Sequence, residues 1–223
     1  SNIVAAITAG MTAATTTTIE EANAGSGDDT VIGGGDDNLI RGNAGNDSIE
    51  GRDGDDTLGG GLGDDDISGG IGDDTFLIGV GDGVDVIDGS AGLDRIVATA
   101  SGVVISLSGL SGVEEISSGG FARVSIAGTA NADSLDFSAT TLTGITSISG
   151  DLGDDTIIGS EGADVIVGGG GNDLLQAGGG DDVLLIGGAA AGRDSFDGGA
   201  GYDVIRATSN NTVISPVSLL RPA

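Results

Sequence analysis

This chain of 223 residues lacks most of the side chains that enzymes use for chemistry. It has no cysteine, no histidine and no tryptophan, and all 7 of its basic residues are arginines. Without cysteine and histidine there are no zinc fingers, no thiol catalysis, no histidine acid–base catalysis and few transition-metal sites. Without lysine there is no Schiff-base chemistry and no P-loop lysine. Only paired carboxylates would remain for an enzyme, so we expect none.

Aromatic side chains and positive charge are also scarce. The chain has 1 Tyr and 4 Phe, and its 35 acidic residues give a net charge of −28. This charge repels nucleic acid and anionic membranes, and clustered carboxylates oppose a compact state without counter-ions. No apolar run of about 18–20 residues is present, so we expect no membrane insertion. We expect a chain that stays largely disordered until bound cations contribute to its folding.

What the sequence has in excess is glycine, with 46 residues, much of it in a nine-residue repeat. Residues 60–68 read Gly-Gly-Leu-Gly-Asp-Asp-Asp-Ile-Ser, and residues 69–77 read Gly-Gly-Ile-Gly-Asp-Asp-Thr-Phe-Leu. Glycine occupies positions one, two and four, aspartate position six, and an apolar residue position eight. A sustained nonapeptide of this form predicts a calcium-binding parallel β-helix.

The sixth and eighth positions define two arrays. The position-six aspartates are Asp29, Asp37, Asp47, Asp56, Asp65, Asp74, Asp85 and Asp94, then Asp155, Asp164, Asp173, Asp182, Asp194 and Asp203. The apolar residues are Val31, Leu39, Ile49, Leu58, Ile67, Phe76, Ile87 and Ile96, then Ile157, Ile166, Leu175, Leu184, Phe196 and Ile205. Glycine permits tight turns, aspartate offers the oxygen ligands that calcium requires, and a lone apolar residue in a short strand must stack on its copies.

Over about residues 24–97 and 150–206, the chain resembles the RTX, or hemolysin-type, calcium-binding repeat family. The resemblance implies an all-β fold, a right-handed parallel β-roll or β-helix that calcium stabilises. Two nonapeptides would form one coil, and ions would lie between turns of successive coils, shared for example by Asp47 and Asp65 or by Asp56 and Asp74. The ceiling is roughly ten calcium ions. Irregular spacings at residues 79–83 and 187–191, and a short repeat at Asp37, should reduce the number of bound calcium ions.

The metal ligands that the resemblance implies are the position-six carboxylates and backbone carbonyls of the glycine turns. The glycines concerned precede each aspartate by two residues: Gly27, Gly35, Gly45, Gly54, Gly63, Gly72, Gly83, Gly92, Gly153, Gly162, Gly171, Gly180, Gly192 and Gly201. Aspartate pairs such as Asp55-Asp56 and Asp181-Asp182 recur at the repeat period. We therefore interpret them as a turn residue followed by a metal ligand, and not as a catalytic pair.

Five segments follow from these patterns. Residues 1–23 are an N-terminal cap or an expression-derived segment, 24–97 the first array, 98–149 a degenerate β-solenoid spacer, 150–206 the second array, and 207–223 a C-terminal cap or tail. The spacer contains a decayed nonapeptide at Gly128–Asp136, and its β-branched residues favour a solenoid over the alternative of a flexible linker. The tail is either a strand with a cap or part of the uncleaved secretion signal that RTX proteins carry.

The expected function is that of a non-catalytic calcium-binding module, folding with calcium, in a secreted or cell-surface bacterial protein exported by type I secretion. Its role would be structural, as in adhesins or surface layers. The alternative is the C-terminal module of a secreted enzyme or toxin, which only the neighbouring sequence could distinguish. The expected partners are calcium ions, with self-association or neighbouring domains of a larger protein. Ice binding is disfavoured, because the residue before each apolar position is not regularly Thr or Asn.

Overall fold

The computed structural model describes residues 4–6, 12–14, 20–187 and 192–208. Most of the predicted cap at 1–23 and of the tail at 207–223 lies outside these ranges. The chain forms two compact units, Ser1–Val124 and Ser125–Ala223, here called unit 1 and unit 2. All regular structure in the described ranges is β-strand. None of it is a helix of the length and apolarity needed to cross a membrane.

The strands are short, as a repeat with one apolar residue every nine positions requires. They are β1 (Val4–Ala6), β2 (Thr12–Ala14), β3 (Glu21–Asn23), β4 (Thr30–Ile32), β5 (Leu39–Ala44), β6 (Ser48–Asp53), β7 (Thr57–Leu62), β8 (Asp66–Ile71), β9 (Thr75–Ile78), β10 (Val84–Ala91), β11 (Arg95–Ala98), β12 (Val104–Ser111), β13 (Glu115–Ser117), β14 (Val124–Ala127), β15 (Ser134–Asp136), β16 (Thr141–Thr143), β17 (Ile145–Ser149), β18 (Thr156–Ile158), β19 (Val165–Val167), β20 (Leu174–Gln176), β21 (Val183–Ile186), β22 (Ser195–Asp197) and β23 (Val204–Ala207).

In unit 1, consecutive strands alternate between two parallel sheets. One sheet has the order β1-β3-β5-β7-β9-β11-β13, and the other has the order β2-β4-β6-β8-β10-β12. Ile40 pairs with Leu58 and Ile49 with Ile67, so each coil advances the chain by 18 residues. A lone three-residue strand could not bury its apolar side chain, whereas the stack buries each one against its copies. The predicted all-β parallel solenoid is confirmed.

The two irregular spacings are accommodated as longer coils. Phe76 pairs with Ile96, 20 residues on, because the chain between β9 and β10 carries two extra residues. In unit 2, Leu175 pairs with Phe196 across 21 residues. The sheets continue past both insertions, so the extra residues leave the strand register intact.

Unit 2 repeats the same plan. Its strands β17, β19, β21 and β23 lie in one sheet and β15, β18, β20 and β22 in another. The residues predicted to form a spacer divide between the units. In unit 1, β12 pairs with β10 and β13 with β11. In unit 2, β15 pairs with β18, with Leu135 opposite Ile157.

The core consists of one or two apolar side chains from most strands, drawn from both sheets. Leu58, Phe76 and Ile96 are fully buried. The prediction that Leu39 belongs to this series is wrong, because Ile40 is the buried residue of β5 and Leu39 is only half-buried. The predicted core residues of β22 and β23 are less covered: Phe196 is half-buried and Ile205 is exposed.

Candidate metal centre

The position-six aspartates form buried ladders along the turns. In unit 1, the backbone N–H of Asp47 donates to Oδ1 of Asp65 at 2.8 Å, and that of Asp56 donates to Oδ1 of Asp74 at 2.8 Å. In unit 2, the N–H of Asp155 donates to Oδ1 of Asp173 at 3.0 Å. Each turn thus places a carboxylate over the backbone of the preceding coil. The aspartates that the sequence predicts to pair two repeats apart, such as Asp47 and Asp65, are therefore neighbours in the structure.

The second oxygen of these carboxylates has no such role. Within the described part of the chain, Oδ2 is buried and has no hydrogen-bond partner in Asp47, Asp56, Asp65, Asp74, Asp94, Asp155, Asp173 and Asp182. A buried polar atom without a partner is costly, and a charged one more so. Eight such atoms at equivalent positions are candidate ligands for a cation.

A backbone carbonyl of the next coil lies near Oδ2 in four of these turns, those of Asp47, Asp56, Asp94 and Asp155. A side chain on Gly42 would collide with Oδ2 of Asp47 and also with the carbonyl oxygen of Gly60, one coil further on. The first-position glycine therefore leaves room where two oxygen ligands from different coils converge. No group of three or more acidic side chains converges in the residues described. The donor set is therefore carboxylate plus backbone carbonyl, which suits calcium.

The fourth-position glycines make the close approach of coils possible. Gly63 has a φ of 129°, and a side chain there would collide with the carbonyl oxygen of Gly45. Eleven of the predicted glycines have positive φ: Gly27, Gly45, Gly54, Gly63, Gly72, Gly83, Gly92, Gly153, Gly171, Gly180 and Gly201. Gly35 and Gly162 do not, and Gly192 packs on the carbonyl oxygen of Gly171 as its counterparts do.

One predicted position is corrected by the structure. Asn38, and not Asp37, occupies position six: it is buried, and its N–H donates to Oδ1 of Asp56 at 2.7 Å. The neutral amide is satisfied within its own turn, since Oδ1 accepts from Gly34 N–H and Nδ2 donates to Asp36 O, both at 2.7 Å. With Asn38 in place, the spacing to Asp29 and Asp47 becomes a regular nine residues.

Asp37 belongs to a second ladder, on the solvent side of the turns. Oδ1 of Asp37 accepts the N–H of Asp55 at 3.0 Å, and Oδ1 of Asp55 accepts the N–H of Asp73 at 2.9 Å. The carboxylate of a position-five aspartate accepts a hydrogen bond from the N–H of the following coil. At position six the direction is reversed, because the N–H donates to the carboxylate of the following coil. The Asp55-Asp56 pair thus combines an exposed turn residue with a buried carboxylate, and both acids accept hydrogen bonds in the ladders.

The insertions do not interrupt the buried ladder. The N–H of Asp65 donates to Oδ1 of Asp85 at 3.1 Å, and the N–H of Asp74 donates to Oδ1 of Asp94 at 2.7 Å. In unit 2, Asp182 donates to Oδ1 of Asp203 at 3.2 Å. The ladder thus continues past both insertions, and the expected loss of calcium ions there stays a prediction.

At Asp164 and Asp133, hydrogen bonds within the turn satisfy Oδ2. Oδ2 of Asp164 accepts the N–H and the hydroxyl of Ser160 at 2.8 and 2.9 Å. Oδ2 of Asp133 accepts the hydroxyl of Thr129 at 3.0 Å. Asp133 also continues the ladder, because its N–H donates to Oδ1 of Asp155 at 2.9 Å. Sequence reasoning omitted Asp133, although the decayed nonapeptide around it was the signal that could have identified it.

Burial makes the carboxylates resist ionisation. It raises the pKa of Asp56, Asp65 and Asp85 to about 7, against the opposing effect of a backbone N–H donor. It also raises the pKa of Asp74 and Asp155 to about 6, and neighbouring carboxylates add to each rise. At neutral pH, ionising these groups together opposes the fold unless positive charge reaches the turns.

Comparison with known families gives a match over both arrays. A family model described as the RTX calcium-binding nonapeptide repeat, in four copies, matches residues 23–58, 41–76, 80–100, 149–184 and 189–213. Together these ranges cover more than half of the chain. No curated protein compared with the chain matches it. What the comparison identifies is a non-catalytic repeat module.

Proposed function

Since the chain belongs to the RTX calcium-binding nonapeptide repeat family, we propose that it is a module whose folding depends on calcium, within a secreted or cell-surface protein. The observation that carries this proposal is the set of eight buried Oδ2 atoms left without hydrogen-bond partners in the described turns. Their placement at equivalent positions of successive coils supports several ions between coils and not a single isolated site.

The residues present fit a calcium ion. The position-six carboxylates, such as Asp47 and Asp56, together with carbonyls such as those of Gly60 and Gly69, would hold the ions. Bound calcium supplies positive charge and accepts oxygen ligands in flexible geometry. The chain itself supplies register, because Oδ1 of each aspartate fixes the backbone N–H of the preceding coil.

The energetic case for coupling folding to calcium rests on charge and core size. A net charge of −28 must be held in a solenoid whose core is only one or two apolar residues per strand, most of them aliphatic. Such a core gives limited hydrophobic stabilisation, and the carboxylate repulsion opposes it. Ion binding to the folded state alone then adds to its stability.

This coupling suits a protein that is exported unfolded and folds outside the cell. Extracellular calcium modules bind with dissociation constants of about 10⁻⁴–10⁻³ M, far above cytosolic free calcium. We propose a structural role of the adhesin or surface-layer kind, in which the stiffened solenoid spaces or supports neighbouring parts of the protein. The use of both acids of each Asp-Asp pair in turn ladders supports a structural role over catalysis.

A calcium titration followed by circular dichroism tests this function. We expect weak structure in chelator and a cooperative gain of β signal with a midpoint of about 10⁻⁴–10⁻³ M calcium. Magnesium is the control, and it should substitute poorly because it demands tight octahedral geometry. A full β signal and the same melting temperature in chelator would contradict coupled folding, and a midpoint below micromolar calcium would contradict folding outside the cell.

A further inference from the structure

One aspartate ladder of unit 1 ends on a residue outside the nonapeptide pattern. The N–H of Asp94 donates to Oε2 of Glu114 at 2.8 Å, just as the N–H of Asp74 donates to Oδ1 of Asp94 at 2.7 Å. In the pairing of β11 with β13, Arg95 lies opposite Glu115, which places Glu114 opposite Asp94. Glu114 therefore occupies position six of the next coil, although it lies outside the residues that the family model matches.

The turn that contains Asp94 has the same oxygen arrangement as the interior turns. Asp94 is 1% exposed, and its Oδ2 is buried without a hydrogen-bond partner in the described structure. A side chain on Gly89 would collide with that Oδ2 and with the carbonyl oxygen of Gly112. Gly112 thus provides a carbonyl from the next coil beside Asp94, as Gly60 does beside Asp47.

The short segment from Gly112 to Glu115 is held firmly in this position. Gly112 has a φ of 60°, and Val113 is buried in the unit. The carbonyl oxygen of Asp94 accepts the N–H of Glu114 and of Glu115, at 3.0 and 3.1 Å. Asp94 and Glu114 are therefore bonded in both directions, which fixes the Glu114 side chain at the end of the ladder.

We propose that Glu114 completes an additional calcium site with Asp94 and the carbonyl of Gly112, one coil beyond the last aspartate of the first array. All of its donors are oxygen atoms, which selects a hard divalent cation of the calcium class. The proposal rests on calcium binding by the interior turns and extends it to a turn that lacks the repeat motif. Asp133 offers no equivalent, because Thr129 already satisfies its carboxylate.

Counting bound ions in charge-neutral variants tests the site. Glu114→Gln keeps the side-chain length and an oxygen that can accept from Asp94 N–H, but removes the charge. Glu115→Gln is the matched control, with the same chemical change one residue along, on β13. In equilibrium dialysis against saturating calcium, we expect E114Q to bind one ion fewer than the parent chain and E115Q to bind the same number.

The possible failures are distinguishable. Equal ion counts in the parent chain and E114Q, or the loss of one ion in both variants, would overturn this site alone. A parent chain that bound no calcium would overturn the function of the interior turns together with it. If E114Q does not fold in saturating calcium, Glu114→Asp decides. It keeps the charge on a side chain shorter by one methylene, so one ion should bind more weakly, and unchanged counts and affinity would overturn the site.

Discussion

Asp56 donates its backbone N–H to Oδ1 of Asp74 at 2.8 Å, while Oδ2 of each residue is buried with no hydrogen-bond partner among the residues described. One oxygen of each carboxylate thus holds the register between coils, and the other is the oxygen that we propose binds a cation. The two roles can be separated experimentally. An asparagine in place of the aspartate keeps an oxygen for the N–H of the preceding coil and removes the charge that binds metal.

Asp65→Asn should therefore stabilise the calcium-free fold and reduce the stabilisation that calcium adds. Burial raises the pKa of Asp65 to about 7, so at pH 8 the substitution removes a buried charge and should stabilise the calcium-free fold by about 1–3 kcal/mol. In calcium at ten times the dissociation constant, each lost ion costs about 1.4 kcal/mol. Melting curves with and without calcium, together with calorimetric stoichiometry, measure both effects.

The control for that substitution is Asp53→Asn. Asp53 is an exposed residue at the third position of its repeat, at the end of β6. We expect the calcium stoichiometry of this variant to stay the same and its stability to change by less than about 0.5 kcal/mol. An equal fall in stoichiometry for both variants would contradict the assignment of position six as the ligand.

Acid should stabilise the calcium-free solenoid. The folded pKa of Asp56, Asp65 and Asp85 is about 7, above the ordinary 3.8, so protonation favours folding. This contribution is fully present below about pH 4 and is lost as the pH rises through about 7. Protein freed of calcium by dialysis should keep more β signal at pH 5 than at pH 8, and its pH dependence should shrink in Asp65→Asn. An identical melting temperature at both pH values would refute this.

Protons and calcium should compete for the same oxygen atoms. Calcium affinity should fall as the pH is lowered from 8 through 6, because the carboxylates of Asp74 and Asp155, with a pKa of about 6, must lose their protons to bind metal. Calorimetric titrations at the two pH values measure the change. An affinity independent of pH would show that these buried carboxylates are not the ligands.

Gly63→Ala tests the close approach of neighbouring coils. The new methyl group would meet the carbonyl oxygen of Gly45 at a φ of 129°, so we expect a loss of about 1–3 kcal/mol or more in saturating calcium. Gly35→Ala is the matched control, since no atom lies within 4 Å of its added carbon, and it should change stability by less than about 0.5 kcal/mol. Thermal melting distinguishes the two, and equal losses would contradict the stacking described.

Residues 98–149 should resist proteolysis in saturating calcium. Within unit 1, β12 and β13 pair with the strands of the first array, and within unit 2, β15 pairs with β18 of the second. Backbone held in parallel strands is a poor protease substrate. Mass spectrometry of a limited digest locates the cuts. Rapid cleavage between Ala98 and Ser149 that releases two stable halves would support the flexible linker instead.

The strand positions, the core and the solenoid were predictable because each nonapeptide carries its own turn, carboxylate and apolar residue. The region of residues 33–38 was not, because three consecutive glycines and two aspartates permit two registers there. The pairing of Ile40 with Leu58 selects the one that buries Asn38, in which the spacing to Asp29 and Asp47 is nine residues. A local motif cannot reveal which neighbour its apolar residue will stack on.

The state of each carboxylate was also beyond the sequence. Asp164 and Asp173 follow the same motif, yet the Ser160 hydroxyl satisfies Oδ2 of Asp164, while Oδ2 of Asp173 stays without a partner in the described turns. Glu114 escaped notice for a related reason. It follows no nonapeptide, and only the pairing of β11 with β13 shows that it reaches position six.

The most direct test of the central claim is a crystal structure of the protein grown in millimolar calcium, with ions located by their anomalous scattering. We predict ions beside Oδ2 of the eight aspartates that lack a hydrogen-bond partner in the described structure, coordinated also by carbonyl oxygens of the next coil. We predict weak or no density at Asp164, whose Oδ2 accepts from Ser160. Ions bound only to the exposed position-five carboxylates, with the buried Oδ2 atoms unliganded, would contradict the account.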